Sequence, residues 1–388
     1  METDFREAQT VLEIPKPTAE TAAVETKMLA TADVAAAEPD SAASSTRWLF
    51  IPLALVSAVF LIGLLVRWRG RESVTPQDLV RDLGDPAKSH WHQAYALAEL
   101  LRGPQQASLR QDARLAAELA VLLDRLLEAG PFDANRIKLR VFLCRALGEF
   151  AVPGVQPVLV RASRLERDPA ELAVRRSAVE ALAAHMVRSP APDRDPALLA
   201  ALLAAAGEHG EAAVEKTLRA ELRASAAFAL GVLGGDPALQ QLQFMLADPQ
   251  TNVRYNAAIG LARHGHAAAL PVLLEMLQPN NPQTLAGETS AAGRRWKQAV
   301  VLTNAIRAAQ CWAEQNSPAD RRPLTTAIES LLLPGPRDAS VTPAVQQQAR
   351  QTLSALATRP SFTPRAAEES TSASTAARGG SAEGDDSR

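Results

Sequence analysis

The run LRASAAFALGVLGGDPALQQLQFML, from Leu222 to Leu246, returns in altered form as VRYNAAIGLARHGHAAALPVLLEML, from Val253 to Leu277. Arg223 answers Arg254, Ala226 and Ala227 answer Ala257 and Ala258, Leu230 answers Leu261, Gly234 answers Gly265, and Leu242 answers Leu273, each pair 31 positions apart. Leu, Val and Ala recur at helical rather than strand spacing, which predicts a helix in each half of each copy. Gly234 and Gly265 fall where the first helix has to stop, because glycine alone enters the left-handed region without strain. Asp236-Pro237 and Asp248-Pro249 are then expected to cap the helices that follow and fix their entry angle. Each unit reads as helix, turn, helix, and the fold class as all-α.

Looser copies lie upstream: LRVFLCRALGEF from Leu139 to Phe150 and VRRSAVEALAAH from Val174 to His185, with Arg140 and Arg175 at the position of Arg254. Helical spacing without the full pattern recurs from Trp91 to Leu101, Leu115 to Ala129, Lys297 to Ala313 and Val345 to Ala357. A hairpin whose apolar stripe is too wide to cover alone is completed by stacking the next hairpin, so repeats of this kind form an array built on neighbour contacts. The pattern resembles HEAT repeats, in particular the short type of phycobilin lyases, with VRYNAAIGLARHG from Val253 to Gly265 carrying the likeness.

That resemblance implies an α-α superhelical solenoid over residues 74–358, clearest over 222–277, that binds a protein partner through its concave face, with Tyr255 and Arg176 as candidate contacts. It also implies that Arg140, Arg175, Arg223 and Arg254 form an internal ladder, since an Asp in the preceding turn pairs with this arginine in HEAT repeats. Asp133, Asp168 and Asp248 are the expected partners of Arg140, Arg175 and Arg254, whereas the Arg223 unit offers only Glu215 and Thr217. Some short-repeat relatives attach or remove bilins, but no chromophore-handling motif is recognisable in this chain.

Outside the repeats, residues 1–46 are acidic and poor in large apolar side chains, and residues 359–388 are rich in Ser, Thr and Gly; both read as disordered tails. Between tail and repeats, the stretch from Trp48 to Val66 holds no charge. As a helix it rises about 28 Å, the thickness of a bilayer's hydrocarbon core. Trp48 and Trp68 flank it, and Arg67, Arg69 and Arg71 follow it against Arg47 alone before it. Residues 47–71 therefore read as a single membrane-spanning helix with its basic flank, in the inner membrane, with the repeats on the cytoplasmic side. A cleaved signal peptide fits poorly, because the segment starts late, follows an acidic region and has no small-x-small site after it.

The remaining features carry little chemistry. A formal net charge of −2 provides no broad field for nucleic acid. Cys144 and Cys311 lie far apart within helical patterns and have no zinc-ligand spacing. His90/His92 and His264/His266 are two positions apart, which on a helix points them to different sides, and the histidines read as surface or turn residues. GxSxG and HExxH are absent. No catalytic residue, cofactor, metal or small-molecule substrate is expected. The turn-rich segment 279–295 reads as an insertion loop between repeats, and its Arg294 and Arg295 are further candidate partner contacts.

Overall fold

In the computed structural model, residues 91–128, 130, 132–189, 195–210, 213–333 and 341–358 are described. The apolar stretch from Trp48 to Val66 and the two tails lie outside them. Among the described residues no helix is long and apolar enough to cross a membrane, and the regular elements are all helical. The α-helices are α1 (Trp91–Arg102), α2 (Ala113–Glu128), α3 (Ala134–Gly148), α4 (Gln156–Arg164), α5 (Glu171–Arg188), α6 (Pro196–Ala206), α7 (Ala213–Leu233), α8 (Asp236–Met245), α9 (Thr251–Arg263), α10 (Leu270–Met276), α11 (Pro282–Leu285), α12 (Ala291–Gln315), α13 (Pro318–Ser330) and α14 (Pro343–Thr358). The chain divides into two units, Met1–Gly260 with Gly287–Trp296, and Leu261–Ala286 with Lys297–Arg388.

The first unit is a two-layer stack. In one layer α1 packs on α3, α3 on α5 and α5 on α7; in the other α2, α4, α6 and α8 follow one another, each joined to its hairpin partner. Sequence pattern decides which layer a helix enters. Helix α2 buries Leu115, Leu119, Leu123 and Leu127, a single i, i+4 stripe with polar residues behind it. Helix α5 buries Leu172, Val174, Ala178, Val179, Ala181, Leu182, Ala183 and Met186, which occupy most of its circumference, because neighbours cover it on three sides.

Small residues set the spacing within the fuller layer. A Cβ added to Gly148 would lie 2.7 Å from the Cα of Ala181, and one added to Gly231 would lie 2.5 Å from the Cα of Gly260. These contacts are equivalent in the repeat: Gly148 and Gly231 each lie eight residues beyond the shared arginine (Arg140, Arg223), and Ala181 and Gly260 each six beyond theirs (Arg175, Arg254). Polar rungs reinforce the same crossings. Ser177 Oγ donates to the carbonyl of Val141 at 3.0 Å and Asn256 Nδ2 to that of Ala224 at 2.8 Å.

The turns follow the expected glycines, with φ of 65° at Gly234 and 66° at Gly265. The expected cap at Asp236 is corrected, however: Gly235, at φ 83°, occupies the N-cap, and Asp236 is the first helical residue, where its charge favours the positive helix end instead.

In the second unit, α10 packs on α13 and α13 on α14. Trp312 is buried, and its Nε1 donates to the carbonyl of His266 at 3.0 Å; Asn316 Nδ2 donates to Gly265 O at 3.0 Å and Gln315 Nε2 to Arg263 O at 2.7 Å. The end of α12 thus satisfies the carbonyls that the turn after α9 leaves open. The segment expected as a loop over 279–295 is partly helical. Residues 282–285 form the single turn α11 with Thr284 buried, and α12 starts at Ala291 because Ser290 Oγ accepts from Gly293 N at 2.9 Å.

Candidate functional site

The arginines at the shared repeat position are the most constrained polar side chains in the first unit. Arg140 and Glu171, each 1 % exposed, face one another with Nη1 3.6 Å from Oε1. Glu171 also accepts from the backbone N–H of Arg167 at 2.7 Å and from its guanidinium. Burial pushes the Glu171 carboxyl up, but the Arg167 hydrogen bonds and the charges of Arg167 and Arg140 outweigh it and hold the group below the ordinary carboxylate value. Burial pulls Arg140 down further than Glu171 restores it.

One repeat on, Arg175 Nε donates to Ser163 O at 3.1 Å and its two terminal nitrogens pair with Glu166 and Glu208. Arg219 takes the same two carboxylates from the other side and adds Glu215 at 2.7 Å. Burial works against the Arg219 charge, yet its hydrogen bonds to Glu166 and Glu215 raise its pKa overall. Arg223 grips Asp248 through Nε and Nη2, at 2.8 and 3.1 Å, and donates from Nη1 to Glu208 O at 2.8 Å. Arg254 Nη1 reaches Asp248 O at 3.1 Å.

The row is therefore linked between repeats: Arg140 reaches Glu171 at the start of α5, and Arg175 and Arg223 reach Glu208 and Asp248 in the turns before α7 and α9. Arg175 departs from the pairing expected from the resemblance, since it pairs with Glu166 and Glu208 rather than with Asp168, and the three aspartates also act as helix caps. Asp133 accepts from Asn135 N and Arg136 N, Asp168 from Ala170 N and Asp248 from Gln250 N. An aspartate at a helix start is aimed at the free N–H groups there. Asp248 serves both purposes, capping its own helix and pairing with the arginine of the previous one. Its pairing also supplies the partner that Arg223 lacked in its own unit.

The candidate partner contacts fare differently. Tyr255, expected on an open face, is 4 % exposed and belongs to the packing. It follows the shared arginine directly, as Arg176 does in its repeat, but the α9 position is covered. Arg176 keeps 42 % of its side chain exposed and pairs with Glu180 at 2.8 Å and with Glu221 on α7 at 2.5 Å; Ser225 Oγ donates to Glu180 at 3.0 Å. Arg294 and Arg295 are exposed on the first turns of α12, where Arg294 Nη1 donates to Glu288 O and Thr289 O.

Two features escaped the sequence reading. His185, expected with the other histidines at the surface or in a turn, is instead buried, with Nδ1 2.8 Å from Phe150 O, and burial first, then the Arg188 charge, holds it below the ordinary imidazole value against the pull of that hydrogen bond. Its place among apolar residues at helical spacing was the available signal. Trp91, Tyr95 and Phe142 also meet across α1 and α3, which nothing in the local sequence of either helix announces. Among the described residues no group of three or more His, Cys, Asp or Glu is arranged to hold a metal ion.

Stacked helical hairpins, ion-paired from one unit to the next, define a helical-repeat protein. Residues 212–292 match the family model of HEAT repeats. No curated protein matches the chain. Among solved structures, human deoxyhypusine hydroxylase in complex with glycerol aligns at 20 % identity over 69 % of this chain and 97 % of that one, with a TM-score of 0.24.

Proposed function

We propose that this protein is a membrane-anchored scaffold that binds a protein partner along its repeat stack and carries out no reaction of its own. The repeats are of the short phycobilin-lyase type, read from Val253 to Gly265, and the anchor is the uncharged segment from Trp48 to Val66. The arginines after that segment set the repeats on the cytoplasmic side of the inner membrane.

One observation carries the scaffold reading. HEAT repeats at 212–292 continue an array whose α5–α7 crossing leaves Arg176 and Glu221 about half-exposed while the ladder beneath them is buried. Such a face offers charged groups already held in place, which lowers the ordering cost of association. Arg294 and Arg295, exposed at the start of α12, are further candidate contacts.

The anchor is tested by washing membranes in alkaline carbonate. The full chain stays in the pellet, and deletion of residues 48–66 releases it; release of the full chain would refute the anchor. Native sizing after mild detergent extraction then separates a transient scaffold, which migrates alone, from a stoichiometric subunit, which migrates with its complex.

A further inference from the structure

The cluster on α1 and α3 has a composition that neither the ladder nor the α5–α7 face shares. Trp91 and Tyr95 stand one turn apart on α1; Lys138, Phe142 and Arg145 follow at i, i+4 and i+7 along one side of α3. Phe142 is central. It stacks on Trp91 at 5.8 Å and 18°, and Tyr95 meets it edge-on at 5.2 Å and 72°. Lys138 Nζ lies 4.8 Å over the Trp91 ring, and the Arg145 guanidinium lies 5.4 Å from the Phe142 centroid. Tyr95 is 46 % exposed and Lys138 is exposed. The chain has only two tyrosines, and the other, Tyr255, is buried.

The geometry points to a membrane-surface contact: Trp91, Tyr95 and Phe142 seat against a bilayer rich in anionic lipid, with Lys138 and Arg145 on its headgroups. This rests on the proposed anchor. Three observations select a lipid surface. Indole and phenol side chains favour the headgroup depth, where one end is apolar and the other wet. The flanking cations match the negative potential of a cytoplasmic leaflet. Helix α1 is the first described element after the apolar segment, and the 24 residues between Val66 and Trp91 reach roughly 80 Å even when fully extended. The contact would orient the repeat array relative to the bilayer and leave the α5–α7 face for a protein.

The test places a photo-crosslinking phenylalanine analogue at Tyr95 in the full chain. The chain is reconstituted in nanodiscs of phosphatidylcholine alone or of phosphatidylcholine with phosphatidylglycerol. A lipid adduct that needs phosphatidylglycerol, weakens with salt and falls about fivefold in Lys138→Gln is the expected result. Absence of a lipid adduct from a chain that resists carbonate washing overturns the contact while leaving the anchor standing. A protein adduct in native membranes, in place of lipid, also overturns it. If carbonate releases the chain, the anchor fails separately, and sedimentation with phosphatidylglycerol vesicles decides the patch: binding reduced by Lys138→Gln upholds it, and no binding overturns it.

Discussion

Gly231 on α7 and Gly260 on α9 approach so closely that a Cβ on the first would stand 2.5 Å from the Cα of the second. No rotamer change relieves such a contact, because a Cβ is fixed by its backbone and the atom that it meets is backbone. Gly231→Ala is expected to force the helices apart and to cost about 1–3 kcal/mol, read as a lower urea midpoint. Gly154→Ala is the control, since nothing lies within 4 Å of its added methyl. Equal stability of both variants would show that the α7–α9 crossing is looser than described.

The Arg223–Asp248 pair is buried on both sides, at 6 % and 8 % side-chain exposure. Arg223→Ala leaves Asp248 with a buried charge and is expected to destabilise by about 3–5 kcal/mol. Asp248→Ala removes the pair together with the cap on Gln250 N, and the cap alone is worth about 1 kcal/mol. A double-mutant cycle measured by chemical denaturation should give a large positive coupling between the two positions. Additivity would mean that the two side chains act independently.

How much of this was legible beforehand follows from the range of each interaction. Helix boundaries and the turns at Gly234 and Gly265 are set within a few residues, and periodicity exposes them. The arginine series is legible as a series, because a repeat keeps its buried positions. Its partners were not, since Glu171, Glu208 and Asp248 lie in the next unit, 31, 33 and 25 residues ahead. Local reading instead favoured the aspartates nearest in sequence, which also cap helix starts. Tyr255 failed for a similar reason: its exposure depends on what packs over α9, and no pattern inside α9 encodes that. The start of α12 at Ala291 rested on a serine cap in a glycine-rich stretch that reads equally well as loop.

Acid sensitivity should pass through His185. Its folded pKa lies below the ordinary 6.5, so above that pH both states carry a neutral ring and the full stabilisation is present. As pH falls below about 6.5 the unfolded chain takes up a proton that the native chain refuses, and stability drops by at most about 1.4 kcal/mol per pH unit until the folded pKa is reached. His185→Gln is expected to flatten that slope. Urea midpoints collected across this window check it, and an unchanged slope in the variant would place the acid response elsewhere.

Burial pushes the Cys144 thiol up to about 12. Near neutral pH its thiolate fraction is then on the order of 10⁻⁴ or less, and the folded protein should not label at this position with a thiol reagent. Labelling of Cys144 should track unfolding as denaturant is raised, read by peptide mass. Rapid modification under native conditions would contradict the packing of α3.

If one layer of the stack presents a partner-binding face, crosslinking from its two sides will differ. A photo-crosslinking residue replaces either Arg176, on the α5–α7 face, or Val121, 50 % exposed on α2 in the opposite layer. In intact membranes a discrete protein adduct is expected from position 176 and none from position 121. Adducts of equal yield from both positions, or none from 176 in a chain that remains membrane-bound, would contradict it.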